Sequence, residues 1–359
     1  MMKKLALLLS ACLLLAAVAY AAGGEDSLVS LSYLTGTFLG NVEDRVDQKL
    51  DQSDEAILEQ AADGELDLDT ASTWREIRLK RGDLLTGSTG TNVLLLAGSG
   101  RVTYGSGAVV DVTTGTQVSS GTALAANHRY IVAEDTAAAF EITSRTAVVD
   151  YQGGYSFAYS NEVDYNAMAA ALKSLNLFRG SFTGYGEGFD LELSPTRLQA
   201  LIMFIRVLGE EEQALAWNGT THFTDISKGS DAEKYVGYAY EKGYTNGYSA
   251  TQFKPGNPVN AGQYTEFVLR AMGYSSAANT DLSDTLLRAE QAGVLTSGET
   301  ARLQMEKFLR ADLVYISYYA LYAQLPDSWN TLADALMDKG VFSMSAWRNA
   351  ERLVTSSRL

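Results

Sequence analysis

The chain has 359 residues, enough for two or three domains that each bury a core of their own. Its formal charge is −15. Such an acidic protein does not bind nucleic acid through its overall field, so nucleic acid is excluded as a partner of that kind. Cys12 is the only cysteine, and His128 and His222 are the only histidines. We therefore expect no disulfide, no thiol catalysis, no metal site and no cofactor.

The N-terminus has the pattern of a secretory leader. Two lysines precede an apolar run from Leu5 to Val18, and small residues up to Ala21 offer a cleavage site. We predict a signal peptide over residues 1–21. The run is shorter than the roughly 20 residues that a membrane-spanning helix needs, so no transmembrane anchor is expected after leader cleavage. The residues before Cys12 also fit a lipoprotein signal, and lipidation of Cys12 is the alternative.

Two different patterns follow the leader. Residues 22–70 are acidic and predict an amphipathic helix and a linker, because apolar residues recur at steps of three and four: Leu28, Leu31, Leu34, Phe38, Val42 and Val46. From about 71 to 160 short β-prone runs, such as Val93–Leu96 and Ala147–Tyr151, alternate with glycine-rich turns. This second pattern predicts a small antiparallel β sandwich or barrel. Its many Ser, Thr and Gly residues favour a spacer or adhesive surface over an enzyme pocket.

From about residue 162 the chain turns helical and repeats itself. The middle unit contains Phe223-Thr-Asp225, Gly243-Tyr-Thr-Asn-Gly247, Phe253-Lys-Pro255 and Arg270-Ala-Met-Gly273. Degraded copies stand on both sides, and they include Pro195-Thr-Arg-Leu-Gln199, Arg206-Val-Leu-Gly209 and Phe308-Leu-Arg-Ala-Asp312. A period of roughly 50 to 65 residues indicates an array of supersecondary units that bury their apolar faces against one another.

This repeat resembles the S-layer homology family, whose modules hold proteins on bacterial cell walls. The family pattern begins with Phe-x-Asp, continues through a glycine-rich loop with Phe-x-Pro, and opens its second helix on Thr-Arg-Ala-Glu. The resemblance covers about residues 162–350. It implies three helical hairpins, at about 162–210, 222–275 and 279–323, with a C-terminal capping half-repeat at 329–350. The expected fold class is multidomain α and β: an N-terminal helix, a small β domain and an all-α array.

The three units depart from the family pattern in different places. The first keeps Thr196 and Arg197 but lacks the Phe-x-Asp start. The middle one has Ala261 where the family has arginine. The third keeps Arg310-Ala-Asp312, but Leu309 replaces the capping threonine and its loop is shortened. At most two of the three grooves between units are therefore expected to bind a ligand.

Two helix starts carry a capping pattern. Thr196 stands three residues before Gln199, and Asn260 stands three residues before Gln263. In a capping box the first side chain accepts from the backbone three residues on, and the second reaches back to the cap. We assign these four residues a structural role.

Arg197 and Arg310 are the candidate ligand-binding residues. A guanidinium matches a carboxylate in two-point fashion, and free amides at the start of a helix would add anion affinity. The resemblance implies that this position contacts the pyruvyl-ketal carboxylate of a secondary cell-wall polysaccharide. The alternative is an arginine that faces solvent or pairs with a neighbouring acid.

Two glycines and a group of tyrosines complete the candidate residues. Gly243 and Gly247 are expected to supply the helix stop and the following turn, and close approach of a sugar to this backbone is compatible with that role. A tyrosine stripe at helical spacing forms either core or a sugar-stacking platform: Tyr315, Tyr318, Tyr319 and Tyr322.

We interpret the sequence as a secreted, non-enzymatic protein of the cell wall or cell surface. Its expected partners are a cell-wall polysaccharide and other envelope proteins. The sequence has no phosphate-binding loop, no nucleophile elbow and no histidine beside a candidate nucleophile. One alternative is that the repeats have lost sugar binding and act as a structural or protein-interaction module. Another is an envelope enzyme with its active site in residues 70–160.

Overall fold

The computed structural model describes residues 73–180, 183–274 and 282–359, together with Arg45 and Lys49. The predicted signal peptide, Cys12 and the amphipathic helix of residues 22–70 lie outside the described residues. Residues 69–359 form one compact unit. Within it, two antiparallel sheets precede a set of helices, so the fold is mixed α and β, as the sequence predicted at that level.

Ten strands build the first part of this unit. They are β1 (Arg75–Lys80), β2 (Leu84–Gly87), β3 (Asn92–Ala97), β4 (Gly100–Tyr104), β5 (Ala108–Asp111), β6 (Thr116–Val118), β7 (Arg129–Ala133), β8 (Ala138–Ile142), β9 (Thr146–Gln152) and β10 (Tyr155–Ala158). One sheet has the order β1-β9-β3-β7-β5-β6, and the other has the order β10-β2-β8-β4. All the pairings are antiparallel.

The two sheets share one apolar core. Alternate residues of β8 are buried, among them Phe140 and Ile142, and they pack with Val93, Val109 and Val149 of the six-stranded sheet. This alternation is what one buried face of a strand requires. The sequence pattern had pointed to runs in β1, β3, β5, β7, β8 and β9. It had missed β2, β4, β6 and β10, which are short and contain glycine or polar residues.

Ten α-helices follow in the described residues. They are α1 (Tyr165–Ser174), α2 (Arg197–Val207), α3 (Glu211–Leu215), α4 (Asp231–Glu241), α5 (Ala261–Ala271), α6 (Thr285–Gln291), α7 (Ser297–Met305), α8 (Arg310–Ala320), α9 (Leu332–Asp338) and α10 (Met344–Leu353). The helices α2, α5 and α8 all contact one another. At the contact of α5 with α8, the buried hydroxyls of Tyr264 and Ser317 lie 2.5 Å apart.

Two features of the helical part differ from the sequence expectation or add to it. The segment expected as a shortened loop in the third unit contains α7, which begins with a capping box of Thr296 and Glu299. The C-terminal helix α10 packs against α1, and the Trp347 ring lies 5.1 Å from that of Tyr322. The first helix, α1, is therefore covered both by the last helix, α10, and by α8.

The β-sheets and the helices are joined by charged contacts. Arg78 of β1 forms an ion pair of 2.6 Å with Glu192, and it also donates to the Gly186 carbonyl. Arg145, which precedes β9, pairs with Asp312 in the first turn of α8. These side chains are largely buried, so the contacts fix the β domain against the helical part.

Candidate functional site

The start of α2 forms a junction with the loop Phe253–Asn257, and we call this the Arg197 junction. Thr196 and Gln199 form the expected capping box. The first backbone amides are also satisfied, because Arg197 N donates to Asn257 O (2.8 Å) and Leu198 N donates to Pro255 O (3.1 Å). The expectation of free amides at this helix end was therefore wrong. Anion affinity here has to come from side chains.

The Arg197 side chain is buried but has no acidic partner among the described residues. It is 6% exposed, its Nε donates to the Phe253 carbonyl (2.9 Å), and its guanidinium lies 5.1 Å from the centre of the Phe253 ring. Its two terminal amino groups have no hydrogen-bond partner in the part of the chain that the structure describes. Burial lowers the pKa of Arg197, while Tyr248 and Asp225 oppose the shift. The guanidinium of Arg197 is thus held in place through Nε, while its two terminal amino groups, the fork that could bind a carboxylate, remain available.

Asp225 explains the Phe-x-Asp motif, because it holds the loop that meets α2. Its two carboxylate oxygens accept from Phe253 N (2.9 Å) and Lys254 N (2.7 Å). Lys254 has φ of +62°, a conformation that few residues other than glycine adopt. The two amide bonds hold this turn in place, and the turn presents the Phe253 carbonyl to Arg197.

The flank of the junction carries a second cation and an exposed ring. Lys254 Nζ lies 5.3 Å from the centre of the Tyr248 ring, and Tyr248 is 60% exposed. In the described ranges no carboxylate lies within ion-pair distance of Lys254. The sequence pattern does not single out Lys254, whereas Tyr248 is one of the tyrosines whose role, core or sugar stacking, it leaves open. Lys254 is the middle residue of Phe253-Lys-Pro255, and its side chain is half-buried.

The two predicted glycines both adopt left-handed backbone conformations. Gly243 follows the last turn of α4 with φ of +73°, and a side chain there would meet nothing within 4 Å. Gly247 has φ of +83°, and a Cβ there would lie 2.4 Å from the Phe223 ring. The absence of a side chain at Gly247 thus lets the phenylalanine of the Phe-x-Asp motif pack beneath the turn.

Asp225 is expected to make the stability of this loop depend on pH. Burial alone would raise the pKa of Asp225, but its amide hydrogen bonds outweigh burial and lower the pKa. A lowered folded pKa contributes stability that is complete above the unfolded value of about 3.9 and is lost as the pH falls through the folded pKa. Asp225→Asn should therefore destabilise the protein at pH 6 to 7, by about 1–3 kcal/mol.

This difference between wild type and Asp225→Asn should shrink below about pH 4, because the unfolded carboxylate protonates there and the native one follows only at lower pH. Urea unfolding followed between pH 3 and pH 7 measures it. A difference that stays constant down to pH 3 would mean that Asp225 does not titrate as the structure requires.

The start of α8 forms a second junction of the same kind, with the loop Phe189–Leu193, and we call this the Arg310 junction. Arg310 N donates to Leu193 O (2.8 Å), Ala311 N donates to Leu191 O (3.0 Å) and Arg310 Nε donates to Phe189 O (3.1 Å). Arg310 is 8% exposed, and its guanidinium lies 5.8 Å from the Phe178 ring centre. Each bond has its counterpart in the Arg197 junction, so two distant parts of the chain repeat one local structure.

The start of α5 has no such arginine. Asn260 and Gln263 form the expected capping box, and Ala261 is buried. This helix start therefore presents no cation. The sequence left open that Arg197 and Arg310 face solvent or pair with a neighbouring acid. The structure shows neither, because both side chains are buried and form no ion pair within the described ranges. They are buried and bonded to carbonyls.

The tyrosine stripe belongs mainly to the core. Tyr315, Tyr318 and Tyr319 are buried, and only Tyr322 is partly exposed. Tyr315 donates to Glu299 at 2.6 Å. Burial raises the pKa of Tyr319 to about 12. These rings pack helices together and offer no open platform for sugar stacking.

Other features of the described residues do not form a second site of this kind. A polar cleft of about 600 Å³ is lined by residues such as Tyr159, Glu162 and Ser356, and it includes neither arginine. The described ranges contain no group of His, Cys, Asp or Glu side chains suited to a metal ion. No described helix has the length and apolar character that crossing a membrane requires.

One loop-to-helix junction thus occurs twice in the described residues, at Arg197 and at Arg310. Residues 222–265 match the S-layer homology domain. A stretch of 109 residues is 28% identical to the Surface layer protein of Brevibacillus choshinensis, and it covers 30% of this chain and 10% of that protein. The match thus spans about a tenth of the relative's length. Residues 222–265 are thus an S-layer homology domain, which confirms the resemblance seen in the sequence for the middle unit.

Among solved structures, the chain has a likeness to procruciferin, an 11S globulin from Brassica napus. The TM-score is 0.16 and the sequence identity is 10%, over 28% of this chain and 27% of that chain. A likeness of this size carries no argument about fold or function.

Proposed function

We propose that this chain is an exported protein that attaches non-covalently to the bacterial cell wall. Three S-layer homology repeats, at about 162–210, 222–275 and 279–323, with a capping half-repeat at 329–350, bind a secondary wall polysaccharide. The β domain of residues 71–160 is displayed at the cell surface, and the protein is not an enzyme. The match at residues 222–265 supports the attachment.

The ligand that we propose is an acidic, pyruvylated polysaccharide. The observation that carries this is the unused guanidinium fork of Arg197 beside the exposed Tyr248 ring. A guanidinium fork binds a carboxylate in two-point fashion, and an aromatic ring offers an apolar face to a sugar. The surrounding protein is strongly acidic, so this affinity has to come from locally placed cations.

Cosedimentation with cell walls tests the proposal. The full chain should sediment with walls that carry the secondary polymer and stay in solution with walls stripped of it. Arg197→Ala should weaken the retention about tenfold to a hundredfold, the effect of losing a charged hydrogen bond worth about 1.5–3 kcal/mol. Arg348→Ala removes the same charge from an exposed position on α10 and should bind as the wild type does.

A second candidate function has its own support. The repeats could serve as a structural or protein-interaction module without sugar binding, because Ala261 stands at one arginine position and the other two arginines bond internal carbonyls. Equal retention on walls with and without the polymer would favour this candidate. Unchanged retention of a folded Arg197→Ala variant would remove Arg197 from the ligand-binding residues.

A further inference from the structure

We infer that only the Arg197 junction takes an acidic ligand, because Lys254 adds a cation there, whereas Asp190 gives the Arg310 junction a carboxylate at the equivalent position. This inference rests on the proposed function and names the residue that sets its specificity. Lys254 is the specificity-determining residue, and Arg197 is its partner.

The equivalence of Lys254 and Asp190 follows from the backbone. Lys254 directly follows Phe253, whose carbonyl accepts from Arg197, and Asp190 directly follows Phe189, whose carbonyl accepts from Arg310. Both residues have left-handed φ angles, +62° and +50°. In both junctions, the carbonyl four residues after the phenylalanine accepts from the backbone amide of the arginine. The carbonyl two residues after the phenylalanine accepts from the amide of the residue that follows the arginine. The same turn therefore carries opposite charges in the two junctions.

At the Arg197 junction the local charge is positive. The amino group of Lys254 has no carboxylate within ion-pair distance in the described ranges, and the terminal amino groups of Arg197 are unpartnered there. One carboxylate, that of Asp225, interacts with both cations: it opposes the fall in the pKa of Arg197, and Lys254 helps to lower its own pKa. Its two oxygens accept backbone amides, and two cations against one carboxylate leave a positive charge. A ligand carboxylate would therefore meet two available cations.

At the Arg310 junction two carboxylates act on the arginine. Burial lowers the pKa of Arg310, and the carboxylates of Asp190 and Glu192 oppose this shift, while Arg206 reinforces it. Glu192 pairs with Arg78 of β1, and its other carboxylate oxygen is buried with no hydrogen-bond partner among the described residues. An incoming anion would therefore approach the carboxylates of Asp190 and Glu192, and like charges close together repel.

Calorimetric titration of the full chain tests the inference. The probe is a methyl glycoside that carries a pyruvyl ketal, and its neutral carboxamide analogue is the reference. Wild type should bind the acid at one site and bind the amide far more weakly. Lys254→Asp should weaken binding of the acid about fivefold or more, whereas Lys254→Arg, which keeps the positive charge, should bind the acid as wild type does. Asp190→Asn should reveal a second site.

The matched control is Lys242→Asp. Lys242 also lies over a tyrosine ring, with Nζ 5.5 Å from the centre of Tyr238, so the control changes the same charge in a similar setting. It should bind the acid as wild type does. Equal losses in the Lys242 and Lys254 variants would overturn the inference, since the effect would then come from net charge.

The remaining outcomes separate this inference from the proposed function. Two equal sites on the wild-type chain would overturn the inference and leave the proposed function standing. A folded Asp190→Asn variant with a single site would overturn the role given to Asp190. If wild type binds neither the probe nor isolated wall polysaccharide, both the proposed function and the inference fail.

Discussion

Asp312→Ala is expected to lower the free energy of unfolding by about 3–5 kcal/mol, the usual cost of removing one partner from a buried ion pair. Asp312 is fully buried, and it accepts from Arg302 at 2.6 Å and from the backbone of Leu309 at 2.8 Å. It also pairs with Arg145 of the β domain. Glu306, whose side chain is 38% exposed, also pairs with Arg145 and Arg302, so the substitution would remove the buried one of their two carboxylate partners.

Urea unfolding of the full chain, followed by circular dichroism, measures this loss. Asp231→Ala is the control, because Asp231 pairs with Lys234 at 3.0 Å but its side chain is 72% exposed. The control should cost no more than about 1 kcal/mol. In a double-mutant cycle, Asp312→Ala and Arg145→Ala should show a coupling energy of about 0.5–3 kcal/mol. Additive losses would mean that this ion pair does not join the two parts.

Gly247→Ala should destabilise the protein by about 3 kcal/mol or more, and Gly243→Ala should cost only about 1 kcal/mol. Both glycines have left-handed φ angles, +83° and +73°, so both variants carry backbone strain. Only Gly247 adds a steric clash, because a Cβ there would lie 2.4 Å from the Phe223 ring and 2.9 Å from Ser249 O. The Phe223 ring is buried and cannot move aside freely.

The pair of glycine variants is its own control, since the chemical change is identical. Chemical denaturation of each variant gives the two losses. Equal losses at the two positions would contradict the prediction, because they would show that the turn at Gly247 relaxes without resistance from Phe223. The Gly247 variant should also weaken wall binding, since the turn leads into Tyr248 at the Arg197 junction.

Local signals predicted much of the helical part. The capping boxes at Thr196 and Asn260 depend on side chains three residues apart, so the spacing alone revealed them. The stop at Gly243 was equally local. The same signal at Thr296 and Glu299 was overlooked, and it marks the start of α7. The short strands β2 and β6 lacked a clear apolar alternation, so their existence depended on neighbouring strands.

The candidate site was predicted only in part. Arg197 and Arg310 could be selected because their motif places them in the first turn of a helix. The environment of these two arginines could not be predicted, because the carbonyls that they contact belong to Phe253 and Phe189, which lie 56 and 121 residues away in the sequence. The occupied amides at each helix start have the same non-local origin. Lys254 became visible only once the two turns could be compared residue by residue.

The sequence by itself determined the class of the chain: an acidic protein with a β-rich segment and an S-layer homology domain, with named helix starts and turns. These features depend on composition, on spacing and on contacts within a few residues. Only the tertiary structure decided which groups remain available to a ligand. Distant loops occupy the helix amides, two carboxylates act on Arg310, and the β domain is held by Asp312, because burial and charge pairing depend on which segments meet.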